Sequence, residues 1–124
     1  MNHPLVILKL PVPPSVNGLF ATVGRRRIKS RRYRAWLKEA GWEVQRQRCG
    51  CIGGPWQADI ALPADLKGDA DNYSKALLDL LVKHHVVDDD RHCQRLTITK
   101  AVTVGPVIVT LTPAADVGAN EQGG

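Results

Sequence analysis

Six aromatic residues, three cysteines and one methionine in 124 residues leave this chain to build its core from aliphatic side chains. The three thiols, Cys49, Cys51 and Cys93, are an odd number without a framework spacing, which argues against a disulfide scaffold and for a reducing cytoplasm. Leu5 to Leu10 (LVILKL) is too short an apolar run for a secretory core segment or a membrane span. No internal repeat is present, which argues against a solenoid. No Ser/His/Asp or Cys/His pattern points to a protein nucleophile. Acids are scarce in the first half: residues 1–50 hold eleven Lys/Arg against two Asp/Glu, and residues 51–124 hold six against ten. The halves therefore carry +9 and −4 within a net charge of +5. A basic region joined to an acidic one fits phosphate binding by the first and cation binding by the second; two ordinarily solvated faces are the plainer alternative.

What is present reads as one α+β domain over residues 1–112, a small mixed sheet covered by two helices, with a small, polar tail over 113–124 expected to be disordered. Leu5–Leu10 is a half-buried strand closed by Pro11, and Pro13 and Pro14 extend the segment beyond it. Ser30 is placed to cap a helix running to about Arg46, with Tyr33, Trp36, Leu37, Ala40 and Val44 on its apolar face. Trp56–Leu62 alternates as a strand. Asp71 or Asn72 is placed to cap a second helix to about Lys83, with Tyr73, Leu77, Leu80, Leu81 and His84 inward. Strands follow at 93–102 and 107–112, with Gly105-Pro106 turning between them. Trp36, Trp42 and Trp56 are expected in the core or at a subunit interface, and a core this thin gives the chain a reason to dimerise.

The densest chemistry lies between Lys67 and Arg91. Asp69 and Asp71 are two apart, so an extended segment projects both carboxylates to one side. Lys75 follows one turn later, and Asp88, Asp89 and Asp90 form a second acidic run. Mg²⁺ takes oxygen ligands and keeps several waters, so a few converging carboxylates suffice. Such an ion would activate water and stabilise the leaving oxygen in phosphodiester hydrolysis, with Lys75 offsetting charge on the transition state. Asp89 and Asp90 reach the same edge as Asp69 only if the strand after them pairs beside the strand before it. Taken singly, Asp71 is a helix cap, Asp88–Asp90 a solvated turn and Lys75 a partner for Asp71 or Asp79.

Arg25, Arg26, Arg27, Lys29, Arg31, Arg32 and Arg34 form an electrostatic footprint for a polyanion, with binding expected to fall steeply with salt. Phe20 or Tyr33 is available to stack on an exposed base, although core packing is the plainer role. Cys49-x-Cys51 with His84-His85 lacks a standard zinc spacing and reads as loop thiols and a helix-end histidine pair.

Asp69-x-Asp71-Asn72-x-x-Lys75-Ala76, Asp79 and Val86-Val87-x-Asp89-Asp90, preceded by Leu10-Pro11-x-Pro13-Pro14-Ser15-x-Asn17, together resemble the RusA family of Holliday junction resolvases over about residues 5–112. The resemblance implies a Mg²⁺-dependent endodeoxyribonuclease (Mn²⁺ a possible substitute) of bacterial or prophage origin and cytoplasmic location. It would act as a homodimer that nicks four-way junction DNA symmetrically, with no membrane partner and no organic cofactor. It carries the metal-binding aspartates to Asp69, Asp71 and Asp90, with Asp89 beside them, and the required lysine to Lys75. Two departures stand out. His85 occupies the place of a family glycine, and its Cβ disfavours the left-handed turn that glycine supplies, so a different local loop is expected. Asp88 makes the acidic pair a triple, which leaves the ligand register open, with Asp90 preferred. A junction-binding protein of the same fold without turnover is one alternative. A nucleotide-sugar transferase using Asp-x-Asp is another, disfavoured by the small size and the arginine run.

Overall fold

The structure, a computed structural model, describes residues 5–101 and 104–114. The elements are β1 (Val6–Leu10), β2 (Phe20–Val23), β3 (Arg26–Lys29), α1 (Arg31–Gln47), β4 (Trp56–Leu62), α2 (Ser74–Lys83), β5 (Cys93–Lys100) and β6 (Val107–Pro113). Four strands form a mixed sheet in the order β1-β6-β4-β5, and β2–β3 stand apart as a hairpin. β6 is antiparallel to both β1 and β4, whereas β4 and β5 run parallel. The expected α+β class, mixed sheet and two helices are therefore present.

Period-two alternation puts Val6, Leu8 and Leu10, Trp56, Ala58, Ile60 and Leu62, and Val107, Val109 and Leu111 on one face. That face packs on the apolar stripes of both helices, chiefly Tyr33, Trp36, Ala40 and Val44 of α1 and Leu77, Leu80 and Leu81 of α2. Each fully buried aliphatic side chain contributes about 1.5–3 kcal/mol to holding the layers together. Trp36 and Trp56 are buried as expected, but Trp42 is 59% exposed and is not a core residue.

Ser30 caps α1, its Oγ accepting the Tyr33 N–H at 3.0 Å and donating to the Gly18 carbonyl at 2.7 Å. The second helix starts later than expected. Neither Asp71 nor Asn72 caps it: a tighter turn over Ala70–Tyr73 comes first, closed by the Asn72 N–H on the Asp69 carbonyl at 3.1 Å, and α2 begins at Ser74. The Ser74 hydroxyl donates to the Asp71 carbonyl at 3.1 Å, so this corner is built from main-chain oxygens rather than from the aspartate carboxylates.

The basic region forms the β2–β3 hairpin, two strands that the hydrophobic pattern does not announce. Its two-residue turn uses Gly24 at φ 63° followed by Arg25, and the preceding Thr22-Val23 with Ile28 opposite Ala21 was the available signal. The cationic run masked it. β5 ends at Lys100 rather than 102; residues 102 and 103 lie outside the described residues. β5 and β6 do not pair with each other, because β4 lies between them. The chain stays in the sheet through Pro113, and the Ala114 N–H donates to the Pro55 carbonyl at 3.0 Å, so the tail begins later than 113. Residues 115–124, on which the expectation of disorder mostly falls, lie outside the described residues.

Candidate active site

The chain leaves β4 at Leu62 and crosses a short loop to the turn bearing Asp69 and Asp71. That loop is fixed from a neighbouring strand. Lys100, at the end of β5, donates from Nζ to the carbonyls of Leu66 at 2.9 Å and Gly68 at 2.8 Å. Gly68 sits at φ 85°, a conformation that glycine adopts without Cβ strain. The Tyr73 hydroxyl donates to the Lys67 carbonyl at 2.8 Å and ties the far side of the turn to the same loop. Asp69, Asp71 and Lys75 are all exposed. Asp69 opens its turn without a side-chain cap bond. Lys75 Nζ lies 3.4 Å from Asp79 Oδ2 on the outer face of α2, a surface pair of small energetic weight.

The second acidic run is differently engaged. Asp89 accepts a forked pair from Arg91, Nε at 3.0 Å and Nη2 at 2.9 Å, together with the Arg91 N–H at 2.9 Å. These bonds hold its carboxyl well below the usual carboxylate range. Asp88 faces His92 Nδ1 at 2.9 Å and accepts the Gly54 N–H at 3.4 Å; the His92 contact foremost lowers its pKa. Asp90 is exposed, and no cation lies within 4 Å of its carboxylate among the described residues. His85 takes φ 59°, so the left-handed turn forms with a Cβ present, contrary to the expectation of a different loop. The strain, of the order of 1–2 kcal/mol, is offset by burial of Val86 and Val87, which are 2% and 0% exposed. The Val86 N–H to Leu81 bond at 2.9 Å and the Ile52 N–H to Val86 bond at 2.8 Å fix the turn.

Within one chain the two acidic groups stay apart. β5 does pair beside β4, but in parallel, Trp56 facing Cys93 and Leu62 facing Lys100. Asp69 follows the Lys100 end of that pair and Asp90 precedes the Cys93 end. The Trp56 indole N–H donates to the Asp89 carbonyl at 3.1 Å and confirms the second location. Seven strand residues at about 3.3 Å each separate the ends by roughly 20 Å. Among the described residues, no three His, Cys, Asp or Glu side chains converge as a metal cage.

The cations lie on elements that follow the turn touching the Asp71 turn. Arg25, Arg26, Arg27 and Lys29 are on the hairpin and Arg31, Arg32 and Arg34 on the first turn of α1, all exposed. The hairpin base is fixed by the Ser30 N–H to Leu19 carbonyl bond at 2.9 Å. It follows the turn Val16–Gly18, which rests against the turn carrying Asp71. Arg27 stacks over the Phe20 ring at 4.6 Å, and Phe20 meets Tyr33 edge-on at 6.0 Å. Tyr33 is buried, which assigns it to the core. Lys100 was missed in the sequence because its partners are backbone carbonyls more than thirty residues away, reachable only once β5 pairs with β4.

The donor set suits Mg²⁺, which commonly binds through one or two carboxylates plus substrate phosphate. Asp71 lies in the Ala70–Tyr73 turn rather than in an extended segment, so strand alternation does not put its carboxylate beside that of Asp69 as expected; the two remain the candidates to hold such an ion in one chain. No helix among the described residues is long and apolar enough to cross a membrane. The fold and site define a small mixed-sheet domain that carries an exposed Asp-x-Asp pair, a lysine and an exposed cationic hairpin, equipment suited to a phosphate polymer. The chain belongs to the endodeoxyribonuclease RusA family, whose family model matches residues 11–112. Comparison with curated protein sequences gives no significant match.

Proposed function

We propose that the protein is a Mg²⁺-dependent endodeoxyribonuclease that resolves four-way DNA junctions as a homodimer, by paired symmetric nicks. The observation that carries this is the exposed Asp69-x-Asp71-Asn72-x-x-Lys75 segment, its approach loop tied down by Lys100, in a chain of the RusA family that also presents a basic hairpin. The bound metal supplies Lewis acidity and a water of lowered pKa. Asp69 and Asp71, at the strand-to-helix corner, would hold the ion. Lys75, in the first turn of α2, would offset negative charge at the reacting phosphate once it leaves Asp79. The hairpin cations hold the backbone of the bound strand. Asp90 is the member of the second acidic group that serves as ligand, since Asp89 is occupied by Arg91 and Asp88 by His92. Asp90 and Asp71 lie beyond opposite ends of the β4–β5 pair, a strand length of roughly 20 Å, which gives the dimer a chemical purpose: Asp90 of a second copy would serve the ion held by Asp69 and Asp71.

The test is cleavage of a labelled synthetic four-way junction with and without Mg²⁺, against linear duplex of the same sequence. Paired nicks that need the ion, spare the duplex and disappear in Asp71→Asn support the proposal. Junction binding without any cleavage would replace it with a binding protein of the same fold.

A further inference from the structure

Two hollows lie side by side along α1 and the end of α2. One, of about 550 Å³, is bounded by Arg48, Gly50, Lys83 and His85; the other, of about 500 Å³, by Lys29, Arg34, Lys38 and Trp42. They share Gln45, Lys83 and His84, so they form one continuous groove. Among the described residues no Asp or Glu lines either part. That is unexpected for a groove walled partly by the acidic half of the chain. From Arg34 to Arg48 helix α1 rises about 20 Å, so the groove runs from the hairpin end of the domain toward the end where α2 turns at His85. Its lysines and arginines are exposed, and Lys29 and Arg34 also belong to the hairpin-side cation cluster. The floor is set by Gly41, where an added Cβ would lie 2.7 Å from His84 Nε2; the absent side chain lets the ring settle against α1.

We infer that this groove is a second DNA contact, a track for the phosphate backbone of one duplex arm that leads on from the hairpin along α1 and is read through charge rather than base sequence. The inference rests on the nuclease reading above. Cations without an ion-pair partner among the described residues, spaced along about 20 Å, meet successive phosphates of a strand whose axial repeat is about 3.4 Å. Trp42, 59% exposed on the groove wall with Arg46 at 5.7 Å from its ring, adds an apolar surface suited to deoxyribose.

The experiment is binding of a fluorescent four-way junction and of linear duplex in EDTA, from 50 to 200 mM salt. Wild type is compared with Lys38→Gln/Arg48→Gln/Lys83→Gln and with a control, Lys9→Gln/Arg95→Gln, exposed cations outside the groove. The groove variant should bind both DNAs about tenfold or more weakly, with the slope of log K against log salt shallower by roughly 2 to 3. The control should keep the wild-type slope. Circular dichroism and melting of each variant confirm that the fold is retained. A groove variant that keeps the wild-type slope, or a control that loses as much per charge removed, overturns the track. Wild type that binds neither DNA overturns the nuclease reading as well.

Discussion

The ammonium of Lys100 lies 2.8 Å from the carbonyl of Gly68, the residue immediately before Asp69. A strand-end side chain thus fixes the backbone that aims a candidate ligand, and it does so across the β4–β5 pair rather than along the chain. Lys100→Met removes both donated bonds and should lower cleavage by about 10- to 100-fold, the range for losing support behind a metal ligand. The half-saturating Mg²⁺ concentration should rise while junction affinity in EDTA is unchanged. Melting and a Mg²⁺ titration of the cleavage rate check both. An unchanged Mg²⁺ requirement would reduce Lys100 to a structural tie.

The three consecutive acids should separate by function. Asp90→Asn is expected to lose on the order of 10²-fold or more in cleavage, since a metal ligand supports several kcal/mol of transition-state stabilisation. Asp88→Asn, which disturbs only the His92 and Gly54 contacts, should stay within a few-fold of wild type. Single-turnover rates on the junction decide between them. The reverse order would move the ligand register by two residues.

His84 should make stability sensitive to mild acid. Burial against α1, then the charges of Lys83 and His85, push its pKa below the ordinary value. In the window between that lowered value and about 6.5 the unfolded chain binds more protons than the folded one, so stability rises with pH. It is complete above the ordinary histidine value and declines as pH falls through the window. His84→Gln should flatten this part of the profile, measured by urea unfolding from pH 7.5 to 5.

Ser30 joins the two parts of the basic surface. Its hydroxyl caps α1 and donates to Gly18 at the hairpin base. Ser30→Ala should cost about 1–2 kcal/mol, and it should weaken junction binding although no charge is removed. Chemical unfolding and EDTA binding assays read the two effects. Ser30→Thr, which keeps the hydroxyl, should restore most of both.

Sequence alone determined the two helices, four strands of the sheet, most of their buried faces and the list of ionisable groups, because period is a local property; Trp42 and the start of α2 escaped it. The start of α1 at Ser30 and the buried faces of β1, β4 and β6 follow from side chains within a few residues of one another. Tertiary structure decided what lies near what. β5 pairs with β4 in parallel, so Asp90 and Asp71 stand at opposite ends of that pair although spacing allowed them to meet. Lys100 becomes part of the site for the same reason. Val86 and Val87 bury themselves deeply enough to hold His85 at a positive φ that local preference disfavours. Charge masked the β2–β3 hairpin, and only the tertiary structure shows its base tied through Ser30 to Gly18, in the turn that touches the Asp71 turn. Hydrophobic period is written residue by residue; strand direction and long-range hydrogen bonds are settled by how the layers pack.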